Sequence, residues 1–331
     1  MRFQARGPWD PVSTPAMRYL ARRAFWTVTA LLGVSILIFV LVRLLPGNIV
    51  DIIAGTEGQL TADQRVQVLR EFGLDKPLPV QYFLWLGNML QGNFGWSFRS
   101  GQPVAVLLSS RLPITIELAL LAVFGVAMVG VPLGVVASVS RNIRVRTLVQ
   151  VVGVLGLSLP SFWIAIMLII AASYLFGWMP ALIYVSPLTN PWVNLQQMFL
   201  PVLSLALGLS VVVVRMTRSS MLEVLGQDFI KVARAKGLPA LAVLLRHALR
   251  NALIPIVTIL GLQTGFLLGG VVITEQIFGL PGLGWTLLNG VYQRDYPVVQ
   301  GTVMLFAITF VLINLVVDLL YMYLDPRIRY E

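Results

Sequence analysis

Two carboxylates, Glu117 and Asp318, stand inside otherwise apolar runs of this chain. An ionisable side chain in such a place is costly unless it is paired or functional, and one use of a pair is to carry protons across a membrane. Both lie toward the ends of their runs, where water is near. Asn314 stands four residues before Asp318, on the same helical face. This favours a structural polar contact over a proton relay. A third carboxylate, Glu275, opens EQIFGLPGLG, in which Phe278, Pro281, Gly282 and Gly284 mark a tight turn just outside an apolar run. The turn reads either as a re-entrant element closing one end of a path or as an ordinary Gly/Pro turn at the membrane surface. The single histidine, His247, has no companions for a metal site. The absence of cysteine excludes disulfides, thiolate catalysis, cysteine-bound zinc and iron–sulfur clusters. No G-x-x-x-x-G-K-[ST] phosphate loop occurs, and no Ser/His/Asp set or paired catalytic carboxylates lie in the apolar runs. The sequence therefore assigns this chain no catalytic residue, metal or cofactor, and it leaves substrate-contacting residues unidentified.

The remaining chemistry is that of charge. Asp228 to Asn251, DFIKVARAKGLPALAVLLRHALRN, is a basic, alanine-rich stretch between two long apolar runs. Asp228 is placed to cap a helix whose first turn is Phe229 to Val232. Gly237 is placed to stop that helix in the left-handed conformation, and Pro239 to open a second one. Ala233 and Ala235 keep the first helix slim, so a partner backbone can approach it. Lys231, Arg234 and Lys236 put positive charge around that approach. The plainer alternative is a basic loop that happens to be helical.

The elements that must position these groups are membrane spans. Of 331 residues, 57% are hydrophobic and only 11% charged, against about 25% charged in soluble domains. Apolar runs predict six spans, near Ala24–Val42, Ile114–Val139, Leu148–Phe176, Met198–Val214, Ala252–Ile273 and Val298–Leu320. A helical crossing of a hydrocarbon core needs roughly 20 residues. The net charge of +10 does not signal nucleic acid, because 17 of the 24 basic residues flank spans on one side. The positive-inside rule then puts both termini in the cytosol. Residues 1–17 are polar and Pro-rich and read as a cytosolic tail, followed by the first transmembrane helix at 18–44. That run follows Arg22 and Arg23 but is longer than a signal-peptide core and has no A-x-A site, so it is read as retained. Residues 45–112 form a small extracytoplasmic subdomain, with a predicted helix from Thr61, its cap, to Phe72, ended by Gly73. The uncharged, aromatic stretch Gly177–Gln197 is expected at the outer interface. Gly130, Gly134, Gly265, Gly269 and Gly270 are expected to permit close helix packing.

Several motifs occur in an order and spacing that together are specific. They are RLLPGN (Arg43–Asn48), GLDKPLPVQYFLWLGNMLQGNFGWSF (Gly73–Phe98), RLPIT (Arg111–Thr115), SLPSFW (Ser158–Trp163), KVARAKG (Lys231–Gly237) followed by LPALAVLLRHALRN, EQIFGLPGLG (Glu275–Gly284), RDYP (Arg294–Pro297) and DLLYMYLDPRIR (Asp318–Arg329). With them the chain resembles the permease subunits of dipeptide/oligopeptide/nickel ABC importers over nearly all of its length after residue 18. The basic elbow is similar to that family's EAA loop. Two positions depart from the general EAA pattern: Lys231-Val232-Ala233 replaces Glu-Ala-Ala, and Leu249-Arg250 replaces the closing Leu-Pro. Both departures fit the peptide-type branch.

The resemblance implies an all-α membrane protein of six transmembrane helices with the ABC importer type I permease fold. Its five-helix core, 113–331, would contain the coupling loop 217–251. It also implies a bacterial inner-membrane location, a second homologous permease, two ATP-binding subunits that hold ATP and Mg, and an extracytoplasmic solute-binding protein. The substrate class implied is di- or oligopeptides, or nickel complexes and related small solutes. Lys231, Ala233, Arg234, Ala235, Lys236 and Gly237 would meet the ATP-binding subunit, and Glu275, Phe278, Pro281, Gly282 and Gly284 would form a gate-side turn. A proton-coupled carrier using Glu117 and Asp318 is the alternative.

Overall fold

The computed structural model describes residues 14–44, 75–97, 99–181 and 183–324. The tail to residue 13, the predicted helix Thr61–Phe72, and Arg327 and Arg329 lie outside the described residues. In chain order the elements are α1 (Thr14–Leu44), α2 (Leu78–Leu90), the short strands β1 (Trp96–Ser97) and β2 (Gln102–Pro103), α3 (Val104–Val139), α4 (Ile143–Ser158), α5 (Ser161–Phe176), α6 (Pro191–Leu225), α7 (Asp228–Ala235), α8 (Ala240–Ala242), a π-helical turn Val243–Leu249, α9 (Arg250–Phe278), α10 (Leu283–Tyr292) and α11 (Tyr296–Leu324). The strands pair antiparallel, Trp96 opposite Pro103. The all-α expectation holds. Among the described residues, five stretches are long and apolar enough to cross a membrane: Phe25–Leu44, Val104–Val139, Pro191–Leu225, Ala240–Gly265 and Tyr296–Val317. A pair bent by 79°, Gly269–Phe278 with Leu283–Tyr292, raises the count to six.

Four boundaries differ from the sequence expectation. The first helix begins at Thr14, inside the stretch read as a tail. The second span begins at Val104, so residues 104–112 belong to it and not to the preceding subdomain. The third span is broken. Pro160 has no N–H to give, disfavours helix at Leu159 and starts α5 afresh, with Trp163 and Ile164 donating to its carbonyl. At 16 residues, α5 is about 24 Å long and short for a crossing. The fourth span runs well past its predicted ends: Asn190 caps α6 by accepting from the Val193 amide at 3.2 Å, and Pro191 supplies its first turn. Its 35 residues make about 52 Å, against a hydrocarbon core of about 30 Å. The surplus carries the elbow.

α3 and α6 pack along most of their length, and small residues set how closely. A Cβ on Gly130 would lie 2.7 Å from Val213, and one on Gly134 would fall on the Thr217 side chain and the Val214 carbonyl. Further along, Gly265 of α9 receives the Phe310 ring of α11. Gly269, by contrast, has open space where a side chain would stand, so close packing does not explain it. Three of the four apolar clusters among the described residues follow α3 from end to end. One joins Val104 and Leu108 to Leu283 and Val298. A middle one joins Ile114, Leu118 and Met198 to Leu267 and Leu280. The last joins Val126, Val135 and Val213 to Ile230, Ala233, Ala248 and Ile256. The hairpin end and the elbow end therefore lie at opposite ends of α3. Gly134→Ala is expected to destabilise the purified chain by about 1–3 kcal/mol through overpacking, seen as a lower melting temperature in detergent. Gly208→Ala, whose methyl meets nothing within 4 Å, is expected to leave it unchanged; equal melting of the two variants would show that the α3–α6 approach has slack.

Candidate functional site

The elbow begins where α6 ends, with the Gly226 and Gln227 amides donating to Glu223 and Val224. Gln227, not Asp228, is the N-cap, and it makes no side-chain capping bond. Asp228 is instead the first helical residue. Its carboxylate sits by the positive helix end and pairs with Lys231 at 2.8 Å on an exposed surface. At the other end, Leu238 N–H donates to the Ala233 carbonyl and Gly237 N–H to that of Arg234, with Gly237 at φ +74°. That is the glycine-terminated stop expected from the sequence. The helix has two sharply different faces. Ile230 and Ala233 are buried against Met221, Val224, Val243 and Ala248, whereas Lys231, Arg234, Ala235, Lys236 and Gly237 are exposed. Ala233 therefore departs from its expected place at a partner's backbone, because it is spent on anchoring the helix to its own chain.

The second helix of the elbow is not a separate element. From Ala240 the chain is helical without a break to Phe278, passing through wider π turns at Val243–Leu249. His247 sits in those turns, and its carbonyl accepts from the Asn251 side chain at 2.6 Å. Arg246 and Arg250 are exposed beside it.

At the far end, Glu275 lies inside α9 and not beyond the span as expected; it is fully buried. The helix stops three residues later, at Phe278, and after Leu280–Gly282 the chain turns into α10. The Glu275 carboxylate faces the N-terminus of α10. One oxygen accepts from the Thr115 hydroxyl at 2.6 Å, the other from the Trp285 amide at 3.0 Å, and Thr115 in turn accepts from the Leu283 amide at 2.7 Å. An anion there satisfies amides that a helix start leaves unpaired and complements the helix dipole. Gly282 is required by this approach, since a Cβ would fall on the carboxylate; Gly284 is pressed against Val272 in the same way. Arg111 closes the arrangement from α3, donating to the Pro281 carbonyl at 3.2 Å and lying over the Trp285 ring. Phe278 and Leu280 pack into the middle apolar cluster. Thr115 and Arg111 were not singled out as site residues. Their spacing of four, which puts both on one helical face, was the available signal.

The remaining polar candidates are engaged locally. Glu117 lies deep in α3, thirteen residues past its start, and not near the start of a span; it accepts from the Tyr184 hydroxyl at 2.7 Å. Burial, reinforced by the hydrogen bond to Glu117, raises the Tyr184 hydroxyl above its usual range. The loop carrying Tyr184 is fastened by Gln197, which accepts from Val185 N–H and donates to the Ala181 and Ile183 carbonyls, and by Asn194, which donates to the Val185 carbonyl. Asn314 donates to the Phe310 carbonyl of its own helix at 3.0 Å. The Asp318 side chain lies outside the described residues.

The chain matches the family described as binding-protein-dependent transport system inner membrane component over residues 130–330, and that family's N-terminal membrane component over residues 16–119. A Brucella abortus protein named as a peptide transport system permease is 44% identical over 312 residues, 94% of this chain and 99% of that protein. The glutathione transport system permease protein GsiC of Escherichia coli is 39% identical over 315 residues, 95% of this chain and 100% of that protein. Among solved structures, an inward-facing form of the MetNI methionine ABC transporter superimposes with a TM-score of 0.53, covering 66% of this chain and 96% of that one at 19% identity; it supports the fold. The matched residues include the elbow and the Glu275 turn. The chain belongs to the inner-membrane permease components of binding-protein-dependent ABC import systems.

Proposed function

We propose that this permease pairs with a second, related permease to enclose a path for di- or oligopeptides, and that two separate ATP-binding subunits move it through the elbow. What carries this reading is the build of α7. An exposed face bearing Lys231, Arg234, Ala235, Lys236 and Gly237 is anchored by buried Ile230 and Ala233 and is followed by an unbroken helix through the membrane. A push on that face is delivered to α9 through the packing of Ile230 and Ala233 on Val243, Ala248 and Ile256, bypassing the Gly237 turn. The peptide class follows the names of the relatives: one is a peptide permease and another takes glutathione, itself a tripeptide. ATP and Mg are assigned to the partner subunits, since no phosphate loop is present here. The elbow end and both termini are placed in the cytosol by the basic flanks. The hairpin end then faces outward, where residues 45–103 meet the solute-binding protein and Glu275, Phe278, Pro281, Gly282 and Gly284 form a gate-side turn. Glu117 holds Tyr184 and has a structural role in this scheme; family membership leaves the proton-coupled alternative without support.

Co-purification from mild detergent tests the scheme directly. Two ATP-binding subunits should remain bound, their hydrolysis should rise with peptide-loaded binding protein, and crosslinks from Lys236 should reach them. An elbow free of those subunits in the intact complex would sink it. Gly237→Val is expected to abolish ATP-linked uptake, a loss of at least about tenfold, while insertion into the membrane stays normal, because a β-branched residue resists positive φ. Glu275→Ala leaves the α10 amide and Thr115 without their acceptor, at a cost of about 1–3 kcal/mol. It is expected to lower the melting temperature and peptide uptake together, with Glu275→Gln milder because the amide oxygen still accepts; uptake by Glu275→Ala equal to that of the unaltered protein would remove the turn from the gate.

A further inference from the structure

The β1–β2 hairpin is small, but its seat on the bundle is tight. Trp96 and Ser97 pair with Pro103 and Gln102. The turn between them is closed by Gly101 N–H donating to the Ser97 carbonyl and Ser100 N–H donating to the Ser97 hydroxyl. The hydroxyl of Ser97, a residue 1% exposed, donates to an Asp295 carboxylate oxygen at 2.5 Å, and Asp295 is 4% exposed. The other Asp295 oxygen has no protein partner among the described residues. Asp295 stands at the corner between α10 and α11. Its amide returns to the Gly290 carbonyl at 2.8 Å, and the residue before it, Arg294, is held at φ +57°. A non-glycine residue in that region persists only where its surroundings hold it there. The hairpin and corner also lie close: a Cβ on Gly95 would stand 3.4 Å from Pro297, and one on Gly301 would press against Phe94, Val104 and Leu108. α10 is thus gripped at both ends, by Glu275 and Thr115 at its start and by the hairpin at its finish.

We infer that the Ser97–Asp295 hydrogen bond is a positioning link that joins the hairpin to α10, so that an event at the hairpin is passed to the Glu275 turn. The inference rests on the outward placement of the hairpin proposed above. The physical ground is that a buried carboxylate with one side-chain donor cannot give up that donor without a large penalty. The hairpin and the α10–α11 corner therefore move together or not at all. Under the proposed function, the outer partner that loads peptide would act on the exposed part of this hairpin, where Trp96 and Ser100 are exposed. The link would carry its arrival inward.

Two measurements test the link. In the full complex in lipid discs, ATP hydrolysis is compared with and without peptide-loaded binding protein. Ser97→Ala is expected to leave the basal rate unchanged and to reduce the stimulation by at least about fivefold, the low end of ordinary coupling between sites. Ser97→Thr, which keeps the hydroxyl, should restore it. The double change Ser97→Ala/Asp295→Ala leaves no buried carboxylate unpaired, so it should be stable yet equally uncoupled. Normal stimulation in the double variant, or basal and stimulated rates falling in step, would overturn the link. In the chain alone, Ser97→Ala should speed amide exchange throughout Leu283–Tyr292 as well as in the hairpin. Faster exchange confined to the hairpin would also overturn it, and this outcome does not depend on whether the complex transports peptide.

Discussion

The burial of Ile230 and Ala233 is the interaction on which the elbow depends. A helix of eight residues cannot sustain itself, because nucleation is costly and so few hydrogen bonds follow it. α7 exists because one face is set into the apolar cluster formed by α3, α6 and the start of α9. Its charged face is consequently presented at a fixed angle and does not fluctuate with a loop. The same contact joins the elbow to the ends of two long helices, so displacement of α7 strains the packing of both.

At the opposite end a different kind of contact does comparable positioning. Glu275 is buried beside the apolar packing of Phe278 and Leu280 at the bend between α9 and α10, and its two oxygens collect donors from the α3 side chain and the α10 backbone. Apolar packing is tolerant of small shifts, while a buried carboxylate with directed donors is not. The elbow end is therefore held by shape, the α9–α10 bend by shape with directed bonds added, and α3 is common to both.

The sequence was most informative where a residue type has a single physical meaning. Gly237 could be placed in the left-handed region because a helix stop before proline calls for it, and the predominance of apolar residues forecast the helical bundle. It was least informative where meaning depends on distant partners. Nothing local to Ala233 distinguishes an alanine that meets a partner from one that meets its own core. Glu275 looked interfacial because Gly and Pro follow it closely, yet Thr115, far away in sequence, makes it an interior residue. Pro160 was visible, but the break it causes was not, since transmembrane helices often continue past proline when neighbours satisfy the freed carbonyl. Thr115 and Arg111 were in plain view within RLPIT; only their turn partners, 160 and 170 residues on, reveal their purpose.

The π turns at Val243–Leu249 have an effect on geometry that neither the elbow nor the span shows alone. A wider turn takes up more residues per revolution than the 3.6 of an α-helix. Each residue so absorbed rotates everything downstream by about 100° relative to a regular helix. The phase of Arg246 and Arg250, which flank these turns, is thus shifted against the lipid- and core-facing stripes of α9.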